Sequence, residues 1–288
     1  MLNPTVLNPT VLEPGGRYRC GVLGHPVGHS LSPAMHRAAY AQIGLDWQYD
    51  AHDVQEAELA GFVSSCGPGW RGLSLTMPLK RAVLPLLDER SELVRRVGAA
   101  NTVVFAGGLV RGDNTDVAGV TGALGAAGIH RVETAVLVGA GASADSVHVA
   151  LAELGLRRLH LAVRDPRRAQ PLATRASAAG VRVSVGALAD LVSDAPDGVD
   201  LLASTVPGGT DIEVGDELLS RSRAVLDIAY DPWPSPLLTR ARGHGAQVVD
   251  GIAMLAHQAA QQVRLMTEHD VPVDVLHAAA WSALESRR

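Results

Sequence analysis

The sequence predicts a two-domain α/β protein, and three observations predict it. From Tyr18 onward, short apolar runs alternate with amphipathic stretches of about 10–15 residues, the pattern of βα units around a mostly parallel sheet. In mid-chain a glycine loop, Gly139-Ala140-Gly141-Ala142-Ser143-Ala144, joins an apolar strand to a helix, and a second strand follows. After Asp250-Gly251 only helical periodicity is left. The 288 residues are enough for two domains of ordinary size.

The elements follow in order. A strand over 19–23 leads to the loop 24–33, and Ser32-Pro33 reads as an N-cap with proline in the first turn of a helix ending at Gly44. A strand near 47–52, a helix near 55–64 and a strand near 72–76 come next. Pro78 then opens a further helix, and another is expected over 89–97. Gly107-Gly108 turns a hairpin between strands 101–105 and 109–111. A helix runs from Asp116 to about Gly128. The glycine loop then sits between strand 135–138 and a helix to about Leu154, followed by strand 159–163, helix 166–179 and strand 182–185. Strands near 199–203, 224–228 and 246–249 precede helices 252–269 and 273–286. The expected layout is a flexible tail over 1–16, where LNPTV occurs twice, a first domain over 17–120, and a second over 121–250. Residues 251–288 are expected to return to the first domain.

Composition narrows the function. Net charge is −5, which gives no support to nucleic-acid or anionic-membrane binding. No apolar run is long enough for a membrane helix. The N-terminus lacks the basic-then-apolar order of a secretory signal, so a cytoplasmic protein is expected. Cys20 and Cys66 form no C-x-x-C pair, which argues against a disulfide scaffold or a cysteine zinc site. No metal is expected: His25 and His29 lie in a proline- and glycine-containing loop without an acidic or cysteine partner nearby.

Among 25 basic residues there is a single lysine, Lys80. A chain that uses arginine elsewhere keeps lysine where a removable proton is wanted. Lys80 stands one short turn after Thr76, at the carboxyl end of a strand, where open α/β sheets bind ligands. Only two asparagines lie outside the tail, Asn101 and Asn114, each followed by threonine, and Asp116 follows the second pair. A Lys80–Asp116 pair beside a dinucleotide suits carbonyl reduction, which needs a proton as hydride arrives. Ser30 and Ser32, at a loop–helix junction, suit a carboxylate.

Gly139-x-Gly141-x-x-Ala144 is a dinucleotide fingerprint: a tight turn, close approach of pyrophosphate to backbone around Ala140, Ala142 and Ser143, and helix N–H groups facing phosphate. The second domain is therefore expected to be Rossmann-type. The next strand ends in Val163-Arg164-Asp165-Pro166-Arg167-Arg168. Arginines there hold a 2′-phosphate, whereas an acid holds the ribose hydroxyls of NAD. NADP is the expected cofactor, with NAD as the alternative because of Asp165.

Six blocks, in order, resemble the shikimate dehydrogenase family: Gly24–Pro33, Gly72–Lys80, Gly98–Thr102, Asn114-Thr115-Asp116, Asp227–Pro232 and Asp250–Gln258. The resemblance implies reversible NADPH-dependent reduction of 3-dehydroshikimate to shikimate by an oxidoreductase acting on a CH–OH group. It implies that Ser30 and Ser32 hold the carboxylate, and that Thr76, Asn101 and Gln258 bind ring hydroxyls with Tyr230 nearby. Lys80 and Asp116 would be the catalytic pair, with Gly251 and Met254 lining the nicotinamide pocket and Thr205 the cofactor cleft. The partner is then a small molecule, and the chain a monomer or homodimer. Three departures stand out. Ser74 replaces the usual Asn, Ala142 a usual glycine, and Asp165 the neutral Thr of the family's Asn-Arg-Thr. Some relatives that use NAD and accept quinate carry an acid near that last place. An NAD-dependent quinate/shikimate dehydrogenase is the alternative enzyme, and a non-catalytic metabolite sensor the alternative of another class.

Overall fold

The computed structural model describes residues 16–210 and 212–287. The tail expected over 1–16 lies, apart from Gly16, outside the described residues. Two compact units are present. One takes the described residues up to Thr115 and those from Ala259 onward; the other is Asp116–Gln258.

The first unit contains β1 (Arg19–Gly24), α1 (Ser32–Gln42), β2 (Gln48–Asp53), α2 (Glu56–Ser65), β3 (Trp70–Leu75), α3 (Leu79–Ala82), β4 (Glu89–Arg90), α4 (Glu92–Val97), β5 (Thr102–Ala106) and β6 (Leu109–Asp113). Its sheet has the order β2-β1-β3-β5-β6-β4. β2, β1 and β3 run parallel, and β5 with β6 forms an antiparallel hairpin. Gly107 and Gly108 have φ of +63° and +75°, the left-handed pair a tight hairpin turn requires. One face of this sheet buries Leu23, Leu73, Leu75, Leu79, Val83 and Val103.

The second unit contains α5 (Asp116–Ala126), β7 (Thr134–Val138), α6 (Ala142–Glu153), β8 (Arg158–Val163), α7 (Gln170–Ala178), β9 (Arg182–Ala187), α8 (Leu191–Asp194), β10 (Val199–Ser204), α9 (Asp216–Ser220), β11 (Ser222–Asp227), α10 (Pro236–Gly243) and β12 (Gln247–Asp250). Its six strands are all parallel, in the order β12-β11-β10-β7-β8-β9. β7 is buried along its whole length, as a central parallel strand covered on both faces must be. Strand order reverses beside β7, so the switch point lies between β7 and β10, where such sheets bind ligands.

α11 (Gly251–Thr267) starts in the second unit and ends in the first, and α12 (Val273–Glu285) follows. In the first unit α12 packs on α1. Arg71, on β3, donates from Nε to the Met266 carbonyl at 2.8 Å and reaches Glu268 at 3.0 Å. Buried α11 positions Ala259, Val263 and Met266 recur at helical spacing.

Several local expectations need correction. Ser32 is the first helical residue of α1 and not its cap; Leu31 holds the cap position, and the Ser30 hydroxyl accepts from Ser32 N at 3.2 Å. The helix expected over 89–97 is shorter. Ser91 accepts from Val94 N and starts α4 after the β4 bridge to β6. Charged Glu89 and Arg90 thus serve an edge strand, which propensity does not reveal. The helix expected over 166–179 begins as a separate tight turn, Pro166–Ala169. The sequence reading missed α8, α9 and α10. The first two are only 4 and 5 residues long, too short for periodicity to register.

Candidate active site

In the first unit the loop after β1, the turn after β3 and the start of β5 meet at one end of the sheet, because β5 runs antiparallel to β3. Gly24 makes the approach feasible: a Cβ there would lie 2.3 Å from Thr76 Cγ2 and 2.9 Å from the Met77 carbonyl. Backbone bonds pin the site. Thr76 N donates to Leu23 O at 2.9 Å, Leu75 N to Asn101 O at 2.7 Å, and Ala100 N to Lys80 O at 2.8 Å. Thr76, Lys80 and Asn101 are therefore brought together with little freedom. Lys80 is half-buried in α3. Met77, between Thr76 and Lys80, is an exposed large apolar side chain at 55%.

Asn101 is buried in a dense polar knot. Its Oδ1 accepts from Thr115 N (2.7 Å) and Thr102 Oγ1 (2.8 Å), and its Nδ2 donates to Thr115 Oγ1 (2.9 Å). Asn114 is buried too, and its amide donates to Ala99 O at 2.9 Å. The second scarce asparagine thus holds the loop before Asn101.

Behind Ser32 and Ser74 runs a network the sequence reading did not single out. Tyr49 OH donates to Ser74 Oγ at 2.6 Å, and Ser74 Oγ donates to Gln262 Oε1 at 2.8 Å. Gln262 Nε2 donates to Thr102 Oγ1 (3.0 Å) and Asn101 O (3.2 Å). His36 Nε2 lies 3.3 Å from Gln262 Oε1, and its ring stacks on Tyr49 at 4.0 Å. Burial lowers the His36 pKa to about 3 and raises that of Tyr49. The one available signal was Gln258 and Gln262 at i, i+4, which puts two amides on the same face of a helix. The loop carrying the serines is also tied from the far end of the chain: Arg287 donates to His29 O at 2.7 Å and Ser30 O at 3.0 Å.

In the second unit Asp116 is buried in the first turn of α5, where the helix dipole favours negative charge. α5 and α11 touch through two glycines. A Cβ on Gly119 would meet Met254 O at 2.8 Å and Gln258 Cβ at 2.9 Å, and one on Gly122 would meet His257 Nδ1 at 2.5 Å. Met254 and Gln258 are thereby brought beside the helix that Asp116 opens. Gly251 lies against the loop after β11: its Cβ would fall 2.2 Å from Ile228 O. Tyr230, in that loop, is half-buried. Burial raises the Asp227 carboxyl, which accepts from Ser235 Oγ at 2.6 Å and caps the loop through Ala229 N at 3.2 Å.

The glycine loop fits a pyrophosphate. Gly139 has φ +108°, and a Cβ there would strike Thr205 Oγ1 at 2.5 Å. This places Thr205 and the glycine loop together at the switch point. A Cβ on Gly141 would meet nothing within 4 Å, so the backbone before α6 is open to a ligand. Ala140, Ala142 and Ser143 are half-buried around it. The first-turn N–H groups of α6 lack partners from within the helix. Arg164 and Arg168 are exposed just past the carboxyl end of β8, the region where dinucleotide-binding sheets of this kind recognise the ribose 2′ position. Among the described residues, no group of three or more His, Cys, Asp or Glu side chains is gathered as a metal set.

A doubly wound parallel sheet with this loop defines a dinucleotide-binding α/β protein with a second unit that bears its own polar site. Comparison with known proteins narrows that class. Residues 22–103 match the family model "Shikimate dehydrogenase substrate binding domain", and residues 251–280 match "Shikimate 5'-dehydrogenase C-terminal domain". The shikimate dehydrogenase (NADP(+)) of Methanothermobacter thermautotrophicus is 35% identical over 92% of this chain and 96% of its own length. The shikimate 5-dehydrogenase of Thermus thermophilus, solved with NADP(H) and shikimate, superposes with a TM-score of 0.81 at 35% identity, covering 93% of this chain and all of that one (100%). The quinate dehydrogenase of Corynebacterium glutamicum, solved with NAD, has a TM-score of 0.83 at 30% identity over 92% of this chain and 99% of that one. The chain belongs to the shikimate dehydrogenase family.

Proposed function

We propose that this chain catalyses the reversible NADPH-dependent reduction of 3-dehydroshikimate to shikimate, a step of aromatic amino acid biosynthesis, in the cytoplasm and as a monomer or homodimer. Thr76, Lys80 and Asn101, pinned at one end of the first unit's sheet by backbone bonds, are the observation that carries this reading. Ser30 and Ser32 take the substrate carboxylate at the start of α1, where the positive end of the helix dipole favours an anion. Thr76, Asn101 and Gln258 bind ring hydroxyls, with Tyr230 beside them. Lys80 Nζ gives a proton to the carbonyl oxygen in reduction and takes it back from the hydroxyl in oxidation. A lysine serves where an arginine fails, because a guanidinium keeps its proton. Asp116 completes the catalytic pair as an acceptor for a substrate hydroxyl.

Gly139, Ala140, Gly141, Ala142 and Ser143 hold the pyrophosphate, Arg164 and Arg168 the 2′-phosphate, and Asp165 stands between those arginines. Gly251 and Met254 line the nicotinamide pocket, and Thr205 the cofactor cleft beside the glycine loop. A reduced nicotinamide bound there supplies hydride to the ring carbonyl carbon.

Asp165 supports a second reading, an NAD-dependent quinate/shikimate dehydrogenase. Initial rates with NADP and NAD, each with shikimate and quinate, decide between the two. The expected result is fastest turnover with NADP and shikimate. Preference for NAD and quinate refutes the first reading, and no turnover with any of the four pairs refutes both.

A further inference from the structure

The acid among the cofactor-site arginines is already occupied. Asp165 lies two positions past Val163, the last residue of β8, and both of its carboxylate oxygens face Arg167. Oδ1 accepts from Arg167 Nε at 3.0 Å and from the Arg167 backbone N at 3.1 Å, and Oδ2 accepts from an Arg167 terminal nitrogen at 3.1 Å. This is a fork-on-fork pair, in which the planar guanidinium fits the carboxylate. The backbone takes part as well: Asp165 caps the turn Pro166–Ala169, and its carbonyl accepts from Arg168 N at 3.0 Å. Arg167 and its backbone N–H hold the carboxyl below its ordinary range. Arg164 and Arg168, on either side, are exposed and in no ion pair among the described residues. Pro166 limits the turn's freedom, since its ring sets φ.

We infer that Arg167 is a specificity-determining positioning residue: by engaging Asp165 it keeps the acid off the ribose hydroxyls and leaves Arg164 and Arg168 to a 2′-phosphate. The inference rests on the proposed NADP-dependent reading. With the pair intact, Asp165 adds no open carboxylate at the place where a phosphate dianion sits. Without Arg167 the same carboxylate is free to accept from two adjacent hydroxyls and to repel a phosphate, which are the marks of an NAD site. Selectivity at this position therefore depends on residue 167 as well as on the acid itself.

The test is binding alone, by calorimetry on the whole chain, with adenosine 2′,5′-bisphosphate and 5′-AMP as probes. The wild type binds the 2′-phosphorylated probe more tightly. Arg167→Ala lowers the ratio of the two affinities by about 3–10-fold, the scale expected for freeing one partly solvated charge near a dianion. Asp165→Asn added to Arg167→Ala restores the ratio, and its effect there is larger than in the wild-type background. NAD affinity rises in Arg167→Ala and falls back in the double variant. A wild type that prefers the 2′-phosphate, with an unchanged ratio in Arg167→Ala, overturns the inference and leaves the NADP reading standing. A wild type without any preference for the 2′-phosphate overturns both. Equal effects of Asp165→Asn in the two backgrounds also overturn the inference, since Arg167 then does nothing to the acid.

Discussion

Gln262 is the residue on which the first unit's polar interior turns, and Gln262→Leu measures that. The side chain is 1% exposed, on the buried face of α11. Leucine fits the helix and the space but makes none of the four amide contacts. Two of the partners keep other bonds. Asn101 O retains Leu75 N at 2.7 Å, and Thr102 Oγ1 retains Asn101 Oδ1 at 2.8 Å. The other two are stranded: the Ser74 hydroxyl hydrogen loses its acceptor, and His36 Nε2 loses its partner. Leaving a buried polar group unsatisfied costs about 1–3 kcal/mol. Two such groups cost about 2–6 kcal/mol, and burial of leucine carbon offsets roughly 2 kcal/mol of that. Taking the middle of that range, the expected net loss is about 2 kcal/mol, seen as a fall of roughly 4–8 °C in the thermal midpoint. Gln261→Leu, one position earlier and half-buried, is the control, expected to shift stability by less than about 0.5 kcal/mol. Thermal and urea unfolding followed by circular dichroism read both variants. Loss of no more than about 0.5 kcal/mol in Gln262→Leu would show that the amide contacts carry no net stability.

Three further outcomes follow from the geometry. Lys80→Ala lowers turnover about 10²–10⁴-fold while shikimate binding, measured by calorimetry, persists; Lys80→Arg is equally poor, and an active arginine variant would show that charge alone suffices. His36 has its pKa lowered to about 3 by burial, so the unfolded chain binds a proton that the folded chain refuses, and acid destabilises the fold. Between pH 6.5 and 5 stability falls by up to about 1.4 kcal/mol per pH unit, and His36→Gln flattens that slope in urea titrations; an unchanged slope refutes the assignment. Gly119→Ala forces α5 away from the Met254 carbonyl, at a cost of about 1–3 kcal/mol, whereas Gly125→Ala, whose Cβ meets nothing nearer than 4.0 Å, is neutral or stabilising; equal midpoints for the two variants would contradict the close packing.

Much of this architecture was legible before folding because its signals are local. The apolar run Ala135–Val138 of β7, the glycine loop and the helix after it report on neighbours a few residues away, so one-dimensional periodicity captures them. The hairpin at Gly107-Gly108 was readable for the same reason. β4 was not, since two charged residues form a strand only because β6 offers them backbone partners. Nor was the cap of α1, where Ser32 moved one position inward and Ser30 took up the bond to its N–H.

The sequence by itself determined the fold class and the family, and it named the candidate residues of the site, down to a single lysine kept among arginines. Tertiary structure alone decided how those residues are supported. Tyr49, Ser74 and Gln262 are 25 and 188 positions apart, and no local pattern shows that they share one chain of hydrogen bonds. Asp165 makes the same point at short range. Its letter reads as a charge that repels phosphate, whereas the fold turns both its oxygens onto Arg167. Charge is a property of the residue, but where that charge acts depends on which donors the fold brings within 3.1 Å of it.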